Sequence, residues 1–136
     1  MTKILLSKGK LLDKETESIQ NSIDNVNNQR QWIHSQNIDD LLEFFDKLGR
    51  YWAEKYSKEI GVNSKHLISF LSKENLGKKL DIALRGNRNI IEKFIDLSDP
   101  ELIFHAQPRG VVVHWIAGNV DILGIFSVVQ ALITKN

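Results

Sequence analysis

The sequence predicts an α/β fold, in which a mostly helical N-terminal region (residues 1–106) precedes the first strand and helix of an incomplete domain (residues 107–136). Two observations lead to this prediction. Apolar residues recur at helical spacing from about residue 13 to residue 99. After Pro108 the pattern changes to an unbroken β-branched run, followed by a turn of small residues and a second apolar run.

The first half of the N-terminal region carries two amphipathic patterns. A narrow apolar stripe predicts one helix from Asp13 to about Arg30, and its apolar members are Ile19, Ile23 and Val26. The next pattern is stronger, and Asn37 or Ser35 is suited to cap its helix. Its inward side is formed by Leu41, Leu42, Phe45, Leu48 and Trp52. Both stripes indicate helices that bury one side in a core.

Three further helices are predicted before Pro108. Gly61 ends the preceding pattern, and Asn63 or Ser64 can cap a helix that turns Leu67, Phe70 and Leu71 inward. A shorter helix ends at Gly86. The last one contains Ile90, Ile91, Phe94 and Ile95 and is broken by Asp99-Pro100.

The C-terminal residues predict a strand, a tight turn and a helix. Val111–Ile116 is apolar without alternation, so we expect a strand covered on both faces, as in a parallel sheet. Ala117-Gly118-Asn119 forms the turn, and Asp121 caps a helix from about residue 122 to residue 134. This order is the first half of a βαβ unit of a Rossmann-like domain. A parallel strand needs a neighbour, so we expect the chain to be incomplete.

Composition excludes several classes of function. The net charge is +1, with acidic and basic residues interspersed, so no nucleic-acid partner is predicted. The chain has no cysteine, which excludes disulfides, thiolate metal sites and a cysteine nucleophile within these residues. The first residues resemble neither a signal peptide nor a transit peptide, so the expected location is the cytoplasm.

The apolar C-terminal stretch is long enough to cross a membrane, but its composition argues against a span. Asp121 would lie near the centre of Val111–Ile133, at a cost of about 2.5 to 3.5 kcal/mol. We therefore predict no membrane span.

Other candidate sites are weaker. The histidines, His34, His66, His105 and His114, lack the spacing of metal ligands, and no metal site is predicted. Ser127 lies within a helix without a nucleophile elbow, which favours a packing role. Arg85 and Arg88 either meet a phosphate of coenzyme A or belong to a solvated helix face.

The last thirty residues resemble a known family. The residues that carry the resemblance are Pro108 to His114, Gly118-Asn119-Val120, Gly124, Ser127 and Lys135-Asn136. They look like the first strand and helix of the cofactor-binding domain in the acyl-CoA reductases of bacterial luminescence systems, which belong to the aldehyde dehydrogenase superfamily.

The resemblance implies reduction of acyl-CoA, or another fatty acyl thioester, to an aldehyde with NADPH. It places Asn119 as an oxyanion donor and Ala117 and Gly118 at the cofactor. The family's catalytic cysteine lies downstream, so these residues alone should be inactive without the remainder of the reductase chain. Asp121 stands where the family usually has proline, and a carboxylate there would oppose the oxyanion unless it caps the helix. From the residues alone, support of the turn is the favoured role of Asn119, because asparagine is a common turn residue, and the resemblance reverses that preference.

A rival interpretation is a free-standing helical interaction module without catalysis, whose Val111–Ile116 strand pairs with another chain. A reading frame that continues past residue 136 would favour the reductase fragment. In either case the uncharged, β-prone segment predicts a homo-oligomer.

Overall fold

The computed structural model describes residues 6–7, 10–11, 19–56, 58, 63–96, 101–116 and 122–136. Its elements in chain order are β1 (Leu6–Ser7), β2 (Lys10–Leu11), α1 (Ile19–Asn28), α2 (Arg30–Ser35), α3 (Ile38–Lys55), α4 (Asn63–Leu71), α5 (Lys73–Ala83), a 3-10 turn (Arg88–Ile91), β3 (Ile95–Asp96), β4 (Ile103–Phe104) and α6 (Ile122–Ile133). Strand β1 pairs with β2, and β3 pairs with β4, both in antiparallel register. The described part of the chain is thus mostly helical, which is compatible with an α/β fold.

Helix α3 begins where the sequence predicts. Of the two candidate caps, Asn37 is the one that acts: its side-chain oxygen accepts from the backbone N–H of Asp39 at 2.8 Å and of Asp40 at 3.4 Å. The residues predicted to face inward are buried or half-buried: Leu41, Leu42, Phe45, Leu48 and Trp52. The capping residue and the apolar stripe together fix which side of α3 meets the rest of the molecule.

Helices α3, α4 and α5 pack together, and we call them the helical core. The predicted inward residues of α4, Leu67, Phe70 and Leu71, are all buried. Gly49 of α3 lies against α4 so closely that a β-carbon there would be 2.9 Å from Cβ of Leu71. A glycine in the middle of a helix lowers its stability, so its presence here is explained by the close approach of the two helices.

Helix α6 packs against the helical core through α3 and α4. Val129 and Ile133 are buried, and the Phe126 ring stacks on Phe70 with 3.7 Å between centroids. The ammonium group of Lys79 lies 3.6 Å from the centroid of the same Phe70 ring. Partial burial of that ammonium group lowers the pKa of Lys79. Among the described residues, no helix combines the length and the apolar character that a membrane crossing requires.

One prediction of helical structure requires correction, and one helix was not predicted. The helix predicted through Ile95 is only a 3-10 turn, after which Ile95 pairs with Phe104 in a ladder. The returning chain stabilises this arrangement, because the backbone N–H of Ala106 donates to the carbonyl of Ile90 at 2.7 Å. Helix α2 was not predicted; among its residues, Ile33 alone is buried, too few to form a periodic stripe.

Candidate functional site

Asn136 makes hydrogen bonds to the first residues of a segment, residues 109–136, which we call the C-terminal unit. The side-chain oxygen of Asn136 accepts from the backbone N–H of Arg109 at 2.7 Å and of Gly110 at 3.1 Å. Gly110 is buried and has φ of +110°, a backbone conformation that favours glycine. The start of the extended segment is thereby tied to the end of α6.

Two further contacts show that the extended segment runs antiparallel to α6. Nδ1 of His114 lies 2.6 Å from Oγ of Ser127, one turn beyond the beginning of the helix. Further along, the side chain of Ile116 is 4.0 Å from the point where Gly124 would carry a β-carbon. As the residue number rises along the segment, the number of the contacted helix residue falls. The segment and the helix therefore lie side by side, with Ile116 near the beginning of α6.

The predicted site residues Ala117, Gly118 and Asn119 lie outside the described residues, as does the predicted cap Asp121. The described neighbours are Ile116 and the first residue of α6, Ile122, close to the predicted start of that helix. Backbone N–H groups in the first turn of a helix lack helical acceptors and carry partial positive charge. The N-terminus of α6 therefore follows Asn119 by three residues in the sequence.

The strand predicted at residues 111–116 joins neither sheet of the described residues, and its pairing stays a prediction. All six are described, and they are extended but unpaired in any sheet. One side of the segment faces α6 across a groove of about 450 Å³. Val113 and Trp115, which also border this groove, are 80% and 96% exposed. A strand requires a neighbour to accept its hydrogen bonds, and the described residues offer this segment none.

Sequence reasoning missed a buried lysine at the end of α6. Lys135 is 3% exposed, and its ammonium group donates to two backbone carbonyls, those of His34 at 3.1 Å and Gln36 at 2.7 Å. It also lies 3.4 Å from Oε1 of Glu92. A lysine near the end of a helix is usually solvated, so the sequence offered no sign of its burial beyond its place in the family resemblance.

The contacts of Arg88 argue against the interpretation that this side chain meets a phosphate. Its guanidinium group donates to both carboxylate oxygens of Asp81, at 3.0 and 2.8 Å, and lies 3.6 Å from Asp39. These groups border a polar pocket of about 490 Å³ that also includes Asp96 and Lys93. Because carboxylates outnumber cations around the pocket, it is poorly suited to bind a phosphate.

Two histidines, His105 and His114, make hydrogen bonds inside the protein. Nε2 of His105 lies 3.3 Å from the carbonyl of Ile91, and His114 contacts Ser127. Across the described ranges, no group of three or more His, Cys, Asp or Glu side chains could hold a metal ion. The partner of Ser127 gives that residue a definite role in joining the extended segment to α6.

Comparison with known proteins places these features in a family. The family model described as Acyl-CoA reductase (LuxC) matches residues 17–136. The chain belongs to the acyl-CoA reductase (LuxC) family. This confirms the resemblance found in the last thirty residues and extends it over most of the helical region.

Curated members of the acyl-CoA reductase (LuxC) family are similar over most of the chain. The long-chain acyl-protein thioester reductase of Photobacterium phosphoreum is 28% identical over 131 residues, which cover 90% of this chain and 26% of that protein. The reductase of the same name from Photorhabdus luminescens is 28% identical over 138 residues, covering 87% of this chain and 27% of that protein. This chain thus spans about a quarter of the length of these relatives. No solved structure matches it.

Proposed function

We propose that this chain is the N-terminal part of a reductase that converts a fatty acyl thioester to the corresponding aldehyde with NADPH. The observation that carries the proposal is the family match over residues 17–136. The similar proteins whose names specify long-chain acyl-protein thioesters support the substrate class. Either acyl-CoA or an acyl-protein thioester fits that class.

The reaction as proposed has two steps. A cysteine thiolate outside these residues attacks the thioester carbonyl, and the acyl group passes to that cysteine while the original thiol leaves. The resulting acyl-cysteine is then reduced by hydride, the cysteine thiolate leaves, and the aldehyde is released. Negative charge develops on the carbonyl oxygen in both steps, so one fixed hydrogen-bond donor serves the reaction twice.

We assign that donor to the side-chain amide of Asn119. A neutral amide stabilises developing negative charge without introducing a counter-charge that would bind the ground state. The geometry of the C-terminal unit supports this role, because an extended segment leads into the turn and the N-terminus of α6 follows three residues after Asn119. A carboxylate of Asp121 that faced the oxyanion would oppose the developing negative charge. We propose that Asp121 caps α6 instead.

We assign the hydride to NADPH, in keeping with the resemblance, and place Ala117 and Gly118 beside that cofactor. Small side chains at a strand end allow a planar ligand to approach the backbone. The sequence lacks the pattern G-x-G-x-x-G, so the phosphates of the cofactor are assigned to the remainder of the reductase chain.

The exposed side of residues 111–116 is the proposed site of assembly. Val113 and Trp115 are exposed there, and the segment's unpaired backbone could add to a sheet. We propose that the remainder of the reductase supplies the neighbouring strand of a Rossmann-like domain, and that the assembled protein is a homo-oligomer.

The test is acyl-CoA-dependent oxidation of NADPH by the longer reductase that contains this chain. We expect Asn119→Ala to lower kcat by about 10² to 10³, as loss of one oxyanion donor does elsewhere. Asn89→Ala, at an exposed position of the 3-10 turn, is the matched control and should retain wild-type activity. Full activity of Asn119→Ala would contradict the assigned role, and absence of acyl-dependent activity in the wild type would favour the interaction module.

A further inference from the structure

The buried Lys135 and its neighbour Asn136 join the C-terminal unit to the helical region at one point. We propose that these two residues are positioning residues, which fix how α6 lies against the helical region and, through α6, the residues that precede it in sequence, including Asn119. This inference rests on the proposed function for its catalytic consequence, but its structural part stands on contacts among described residues.

The Lys135 ammonium group binds where α2 ends. The carbonyls of His34 and Gln36 accept its hydrogen bonds at 3.1 and 2.7 Å. Carbonyls at the C-terminal end of a helix lack helical donors and carry partial negative charge, so they attract a cation. Lys135 itself has φ of +60°, which turns the chain away from the axis of α6 at this position.

Glu92 extends the junction to the helical core. Its Oε1 accepts from the backbone N–H of Ile38, the first residue of α3, at 2.6 Å and lies 3.4 Å from the Lys135 ammonium group. An anion at the start of α3 and a cation at the end of α2 each match the partial charge of the nearby helix end. One ion pair therefore joins α2, α3 and the end of α6.

Asn136 ties the same point to the beginning of the extended segment. Its Oδ1 accepts from Arg109 and Gly110, and its amide nitrogen donates to the carbonyl and the hydroxyl of Thr134 at 3.2 and 2.8 Å. Both sides of the amide are thus engaged, which fixes its orientation. The segment before the turn and the helix after it consequently share one base.

In the sequence, Asn119 precedes the first residue of α6 by three positions, whereas this base follows its last residue. The 12 residues of α6 span about 18 Å, so a tilt of a few degrees at the base would move the N-terminal end of α6 by about 1 Å. A displacement of that size at a reacting centre commonly lowers the rate by about 10². Small changes at Lys135 and Asn136 should therefore affect catalysis without touching the substrate.

The experiment measures Lys135→Met and Asn136→Ala in the longer reductase. We expect kcat to fall by about tenfold or more while KM for the acyl thioester stays within about twofold, because the altered residues hold the donor and not the substrate. Asn136→Asp keeps the acceptor for Arg109 and Gly110 but loses the donor to the Thr134 carbonyl, so it should recover only part of the rate lost in Asn136→Ala. Lys65→Met, which removes an exposed lysine of α4, is the matched control and should leave both constants unchanged.

A second measurement does not depend on activity. In the 136-residue chain, Lys135→Met should speed amide hydrogen exchange in α6 and leave exchange in α3 and α4 unchanged. Unchanged exchange in α6 together with an unchanged kcat would overturn the inference, as would equal acceleration in all three helices. If the wild-type reductase showed no acyl-dependent activity, the proposed function would fail, and the exchange result alone would decide whether Lys135 and Asn136 position α6.

Discussion

The helical core and the C-terminal unit contain similar apolar side chains but bury them to different degrees. In the helical core, Leu42, Leu71 and Leu76 have 0% exposure, because three amphipathic helices cover one another. In the C-terminal unit, Val113 and Trp115 lie open to solvent although their segment is the more apolar. An apolar segment is stabilised by burial, but whether it is buried depends on which other elements can pack against it.

The contacts that hold the two regions in place also differ. The helical core depends on close apolar contact, as at Gly49, where α3 and α4 approach closely. The C-terminal unit is joined to the core by the buried Val129 and Ile133, by the Phe70–Phe126 ring stack and, in addition, by the polar contacts of the buried Lys135. Substitutions in the two regions should therefore have effects of different size.

The largest effect on stability is expected for Leu42→Ala. This substitution removes a fully buried side chain from the helical core and should lower the free energy of unfolding by about 2 to 5 kcal/mol. Ile82→Ala removes an aliphatic side chain of α5 that is mostly exposed and should change it by less than about 0.5 kcal/mol. Urea unfolding followed by circular dichroism measures both, and similar losses in the two variants would contradict the assignment of the core.

Gly49→Ala should destabilise the protein, against the usual trend for helices. Alanine normally stabilises a helix interior relative to glycine, but here the added methyl would lie 2.9 Å from Cβ of Leu71. We expect a loss of about 1 to 3 kcal/mol from overpacking, measured by thermal unfolding. A raised midpoint would show that α3 and α4 are less closely packed than the structure indicates.

A smaller and pH-dependent effect is expected at Asp46 of α3. The hydrogen bond from Arg50 is the main reason that the pKa of Asp46 is lowered, and the backbone N–H of Lys73 at the start of α5 adds to it. Since the folded pKa is lowered, the stabilisation is complete above the ordinary value near 3.8 and disappears as pH falls through the folded pKa. Asp46→Asn should therefore cost about 0.5 to 1 kcal/mol at neutral pH.

The test of the Asp46 prediction is urea unfolding of wild type and Asp46→Asn at neutral pH and at successively lower pH. The difference between the two proteins should shrink in acid. Asp96→Asn, at an exposed position of β3, provides the control for replacing a carboxylate by an amide. A difference for Asp46→Asn that stays constant in acid would show that the carboxylate charge does not contribute.

The smallest effect on stability is expected for Trp115→Ser. Because this side chain is 96% exposed, its removal should change the free energy of unfolding by less than about 0.5 kcal/mol. Trp52→Ser, at a half-buried tryptophan packed on the helical core, should cost clearly more. The same Trp115→Ser variant should weaken self-association in sedimentation velocity, and unchanged association would remove this side chain from the proposed assembly surface.

The comparison also explains what the sequence could predict. The cap at Asn37, the buried side of α3 and the start of α6 follow from local patterns, and the structure confirms them. The pairing of residues 111–116 in a sheet stays a prediction, because it depends on a neighbour that no local pattern supplies. The 3-10 turn before Ile95 and the burial of Lys135 both depend on contacts with residues far along the chain. The turn with Ala117, Gly118 and Asn119 lies outside the described residues, and its role stays a prediction.

Amide hydrogen exchange of the 136-residue chain tests the central contrast most directly. The exchange rates are measured on the monomer at low concentration. Amides of α3 and α4 should exchange slowly. Amides of residues 111–116 should exchange rapidly, because these backbone groups have no ladder partner among the described residues. A monodisperse monomer in which residues 111–116 are as protected as α3 would contradict this account, because the segment would then already be covered within these 136 residues.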